Sequence, residues 1–160
     1  SFDFSIRPAP MLRFFLALVV FFPVSGFISA VQPNEEDAIL GTWLTASQKG
    51  HIKIYKKDKK YFGEIVWLKD PLDASTKQPL TDKNNPNASK RSIPILGLTN
   101  LKDFVYTEKK TWENGKIYDP ETGKEYSCRM ILRNATTLDV RGYIGISALG
   151  RTEVWTRVSN

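Results

Sequence analysis

One cysteine and one histidine occur in 160 residues. The lone Cys128 excludes an intrachain disulfide, so packing alone must hold the fold. A thiol and an imidazole cannot between them supply a four-ligand zinc site. A histidine-based nucleophilic triad would have to use His51, which sits beside Lys53 on the polar side of a strand-like alternation. Cys128 falls on the apolar side of its own alternation, where a thiol is sheltered rather than activated. Helical periodicity is scarce. The longest apolar run, residues 14–22, is shorter than the ~20 residues a membrane-spanning helix needs. No catalytic, cofactor or metal site is expected.

That apolar run has a role of its own. Met11, Leu12 and Arg13 precede it, Pro23 and Gly26 break it, and Ile28, Ser29 and Ala30 offer small residues before a cut. This is the order of a secretory signal. Residues 11–30 are therefore read as a signal peptide, residues 1–10 as an unstructured upstream extension, and residues 31–160 as a single domain. The expected location is outside the cytoplasm, in the periplasm or beyond the cell, as a monomer or weak dimer. The formal charge of +6 becomes about +5 without the leader, a mild bias toward anionic partners. The lysines are dispersed except for Lys56, Lys57, Lys59 and Lys60, which flank Asp58 as in a hairpin tip.

What remains reads as strand. Ile52 and Ile54 alternate with His51, Lys53 and Tyr55. Tyr61, Gly63, Ile65 and Trp67 share one parity, and Ile65 with Trp67 makes it the core side. Gly63 suits a bend or a close neighbour. Around Trp43 the inward set is either Leu40, Thr42 and Leu44 or Ile39 and Trp43. Residues 70–91 lack any period, contain Pro71, Pro79 and Pro86, and read as a long loop, with Leu72 and Leu80 available to pin it. Residues 92–102 are short and apolar, and 104–106 form a small strand-like piece. Tyr126, Cys128, Met130 and Leu132 share a face, as do Leu138, Val140 and Ile144. Trp155 is offset from Val154, Thr156 and Val158. Asn87 and Asn134 head Asn-X-Ser/Thr triplets that read as turns. The sharpest local signal is the reversal at residues 119–123, where Asp119 can cap the turn, Pro120 presets it and Gly123 can adopt a left-handed conformation. Many short strands, short turns and one long loop give an all-β antiparallel barrel of about eight to ten strands; two packed sheets are the alternative.

Several segments stand out together: Gly41, Thr42 and Trp43; the run from Gly63 through Leu68; Asp82, Asn85, Pro86 and Arg91; Ile95 through Leu98; Trp112 and the hairpin through Tyr126; Val140 through Gly145; and Gly150 through Arg157. In this order they resemble the DUF2147 family of exported bacterial proteins. The resemblance implies a lipocalin-like barrel with no established activity. It further implies that Trp43 closes one end, with Arg157 packed over its indole.

A barrel of this size can enclose one small apolar or amphipathic molecule. Candidate lining residues are Ile65, Trp67, Tyr126, Met130, Leu138 and Val140. Trp43, Asp82, Arg91, Asp119, Arg141, Arg151 and Arg157 form a second group of polar or structural candidates. The leading reading is thus a non-catalytic binding barrel. One alternative is a structural or interaction module whose loops contact an envelope protein or glycan. The other is a hydrolase built on Asp82 and Asp119. Nucleic acid fits poorly, because acidic Asp58 and Glu64 interrupt the basic patch and export removes the partner.

Overall fold

The computed structural model describes residues 34–159; the expectations for residues 1–30 lie outside them. A 3₁₀ turn at Glu35–Asp37 leads into eight strands: β1 Gly41–Leu44, β2 Gly50–Lys57, β3 Lys60–Leu68, β4 Thr99–Tyr106, β5 Thr111–Asp119, β6 Lys124–Asn134, β7 Thr137–Tyr143 and β8 Arg151–Ser159. Each strand pairs antiparallel with the next, and β8 returns to β1, so the sheet closes on itself. Closure leaves no unpaired edge. The all-β antiparallel barrel expected from the alternation is what forms, with eight strands, and it has the lipocalin-like form that the family resemblance implied.

The inward parities follow the sequence closely. Ile52 and Ile54 on β2, Cys128, Met130 and Leu132 on β6, Leu138 and Val140 on β7, and Trp155 on β8 are all buried. Of the two choices around β1, the chain takes Ile39 and Trp43, both fully buried. Asp58 and Lys59 both have positive φ, 50° and 64°, the two-residue turn whose twist suits a hairpin. Asn87 and Asn134 each accept from the backbone N–H and the hydroxyl two residues on, as turn residues do.

Four expectations need correction. Trp67 is not in the interior. His51 pairs with Trp67 but Ile52 pairs with Ile65, so Val66 is an extra residue that resets the parity of β3. Trp67 is 41% exposed and its ring lies on His51, with centroids 4.3 Å apart. Ile144 leaves the sheet and is 74% exposed. The short pieces on either side of residue 103 are one strand, β4, interrupted where Asp103 takes φ 61° and the register slips. Leu72 is exposed and does not pin the long loop; polar contacts described below do.

Alternating direction sorts the connections. The lead-in, the β2–β3, β4–β5 and β6–β7 turns and the end of β8 lie at one end, which we call the closed end. The β1–β2 turn, the long β3–β4 loop, the β5–β6 turn and the β7–β8 connection lie at the other, the open end.

Candidate functional site

At the closed end Trp43 donates its indole N–H to the Ile39 carbonyl at 2.9 Å. The Arg157 guanidinium sits 4.2 Å from the centre of the Trp43 ring. Its nitrogens donate to the carbonyls of Ala135, Leu40 and Ala38, each at 2.6 Å. Burial pulls its pKa down from the ordinary arginine value. A second network lies alongside. Lys56 Nζ reaches Glu36 and Asp37, each at 2.9 Å, and Tyr61 donates to Asp37 at 3.0 Å. The hydrogen bond from Lys56 holds both carboxyls below the usual range, while burial pushes the Tyr61 phenol up to about 12. Trp112 donates to the Glu36 carbonyl at 3.2 Å. Trp43 and Arg157 are thus brought together as the resemblance implied, and they seal this end.

Above the seal the interior is filled with side chains. Trp43, Trp112, Trp155, Tyr61 and Phe104 are each less than 2% exposed. A Cβ on Gly63 would lie 2.7 Å from Leu101 Cδ1 and 2.8 Å from Ile52 Cγ2, so its missing side chain is space that neighbours already occupy. Ile65, Met130, Leu138 and Val140 are members of this packed core. Cys128 joins them, its thiol pushed up to about 12 by burial and then by the charge of Glu153. Tyr126 is half-buried, nearer the open end, with Ile117 its partner across β5 and β6.

At the open end the long loop is fastened to the β5–β6 hairpin. Asp82 is fully buried and accepts from the Tyr118 hydroxyl at 2.7 Å and from Asn85 Nδ2 at 2.6 Å. Burial, then the bond to Asp82, raises the Tyr118 phenol to about 12. Asn84 Nδ2 donates to the Glu121 carbonyl at 2.7 Å, and Arg91 Nε donates to the Asn85 carbonyl at 2.8 Å. Asp119 caps its turn, accepting from the Glu121 N–H at 2.9 Å and the Thr122 hydroxyl at 2.8 Å. Gly123 has φ 70°, and a Cβ there would collide with the Asn84 carbonyl. Asp82, Arg91 and Asp119 therefore gather in one region, each engaged in holding the loop or the turn. Their hydrogen bonds account for their placement without a paired-acid reaction centre.

The remaining candidates lie apart. Arg141 is on the outer wall, where it donates to the carbonyls of Ser147 and Ala148 and to Thr152, fixing the β7–β8 connection. Arg151 is exposed, opposite Gly142. Among the described residues no three His, Cys, Asp or Glu side chains cluster as a metal site would require.

Sequence reasoning missed Tyr118 and Asn84, whose partners are 36 and 37 residues away. It also missed the outer wall. Arg129, Ile131, Asp139, Arg141 and Thr152 line a small concavity of about 140 Å³ there, in which Arg129 Nε and Asp139 Oδ1 are buried without a partner. It did not separate the apolar side chains of the open end either. Trp67, Leu72, Ile93, Leu96, Ile144, Ile146 and Leu149 are all exposed, and all belong to segments that meet at this end.

A family model described as "Uncharacterized protein conserved in bacteria (DUF2147)" matches residues 41–157. Among solved structures, protein HP1028 from the human pathogen Helicobacter pylori, described as belonging to the lipocalin family, is similar with a TM-score of 0.65 and 24% identity. The match covers 76% of this chain and 83% of that one, and it shows the fold. No curated protein matches.

Proposed function

The chain belongs to the DUF2147 family, conserved in bacteria, and from that premise we propose that it is a non-catalytic binding barrel that works at its open end. The observation that carries this reading is the contrast in exposure. The closed end is sealed and the core packed; Val105 and Val158 are exposed near that end, while Trp67, Leu72, Ile93, Leu96, Ile144, Ile146 and Leu149 stand in solvent around the opposite rim. Contiguous exposed apolar surface marks a binding site more often than chance. The ligand class is a small apolar or amphipathic molecule, seated at the rim against half-buried Tyr126 and Ile117 rather than deep among the tryptophans. The signal-like leader supports export, and N-terminal sequencing of the mature protein would test cleavage near residue 30.

A second reading has its own support. Ile144, Ile146 and Leu149 are 74%, 63% and 79% exposed on one short connection, an apolar cluster that suits an envelope protein as well as a small ligand. Native mass spectrometry of protein recovered from its own host distinguishes the two. A bound small molecule that is lost on Tyr126→Ala supports the first. Ligand-free protein that retains an associated protein, lost on Ile146→Ser, supports the second. Ligand-free protein without any associated chain overturns both.

A further inference from the structure

On the outer wall, away from the open rim, strands β2, β3 and β4 frame a concavity of about 550 Å³. Its floor is a pair of aromatic rings. Tyr55 and Phe62 are directly opposite across β2 and β3, stacked with centroids 5.8 Å apart and planes 22° from parallel. Both are half-buried, so ring surface remains open to solvent. Lys57, Lys60 and Lys102 stand around the floor, and Asp58 is the acidic residue on the rim.

The charges on this wall are arranged against stability. Lys57 lies directly opposite Lys60, and Lys102 directly opposite Lys116. Like charges in these positions destabilise a sheet. Two of the four find local relief: Lys60 Nζ reaches Asp103 at 3.1 Å and Lys116 Nζ donates to the Ser127 hydroxyl at 3.0 Å. Lys57 and Lys102 form no ion pair among the described residues. Two cations without an acidic partner therefore flank an aromatic floor.

We infer that this wall binds an acidic saccharide, a sugar ring bearing a phosphate or carboxylate. The apolar C–H face of the ring lies on the Tyr55–Phe62 floor, and the anion sits between Lys57 and Lys102. Lysine acts as a point charge that accepts phosphate and carboxylate alike. The concavity is open and rimmed by charge, which suits a hydrated ligand and not the enclosed apolar one of a lined pocket. Two rings with centroids 5.8 Å apart offer surface for one sugar ring and not the run of platforms that a single-stranded nucleic acid uses. A second copy of the chain on this face would set lysine against lysine.

The test is a titration of the folded chain followed by amide ¹H–¹⁵N spectra, using glucose 6-phosphate, galacturonate, glucose, sodium phosphate and a short oligothymidylate. Both acidic sugars are expected to shift the amides of Tyr55, Phe62 and Lys102, with glucose and phosphate roughly tenfold weaker. Changing Lys57→Gln and Lys102→Gln together should weaken the acidic sugars by roughly tenfold while leaving the thermal midpoint unchanged or raised. Added salt should weaken them too. Glucose or phosphate binding as well as the acidic sugars, tighter binding of the oligonucleotide, or indifference to the two lysine substitutions would each overturn the assignment.

Discussion

The two ends of this barrel are made from the same strands and hold themselves together differently. At the closed end charge is turned inward, with Arg157 over Trp43 and Lys56 between Glu36 and Asp37. Each charged group there has several partners, which is what makes its partial burial tolerable. At the open end the side-chain contacts are hydrogen bonds that fasten loops to hairpins. The long loop is held through Asp82, Asn84 and the hairpin turn, while the β7–β8 connection carries its apolar side chains in water. The difference is that one end turns its charged and aromatic groups into a sealed network while the other leaves large apolar side chains in solvent.

The most direct way to break this contrast is at Arg157. Arg157→Ala removes three hydrogen bonds to backbone carbonyls and the cation over the indole, and should cost about 3 kcal/mol in denaturant unfolding. A loss below about 1 kcal/mol would mean the closed end is not the stable one.

Gly123→Val probes the contact that fastens the long loop to the β5–β6 hairpin. The left-handed backbone and the abutting Asn84 carbonyl predict a loss of about 2 kcal/mol, and faster proteolysis within residues 70–91. Unchanged stability would show that the loop is not seated on the hairpin.

Acid probes the network beside the seal. The carboxyls of Glu36 and Asp37 are depressed in the folded state by the hydrogen bond from Lys56. Their contribution is therefore complete above the ordinary carboxylate range near about 4 and is lost as pH falls through the depressed values. The thermal midpoint should drop on that descent, and Lys56→Met should flatten its pH dependence. An equally steep descent in the variant would remove this network from the account.

The smallest effect is expected at the rim. Ile146→Ser should change stability by less than about 0.5 kcal/mol, since the side chain is already 63% exposed. A large loss by calorimetry would make the connection part of the core and end its candidacy as a contact surface.

Much of the barrel was legible because period-two alternation is a local property. The inward sets of β2, β6 and β7 and the turn at residues 119–123 needed only neighbouring residues. Trp67 was misplaced because one inserted residue, Val66, inverts every later position, and nothing in a single strand announces it. β4 was split for the same reason at Asp103. The candidate site was less legible. Asp82 was singled out, but its burial depends on Tyr118, far along the chain and on the outer side of β5. The closed end was anticipated only through family resemblance, since the pairing of Trp43 with Arg157 spans nearly the whole domain.

Arg157 also has a consequence for how the molecule comes together. Its bonds to Ala38 and Leu40 join residues 119 and 117 positions apart, across the seam where β8 meets β1. A contact of that span carries the loop-closure entropy of nearly the whole domain, which sets barrel closure among the slow steps of folding. Until it engages, β1 and β8 are two bare edges capable of pairing with another molecule. The same arginine that seals the finished barrel thus limits the time an incomplete one can cross-pair with its neighbours.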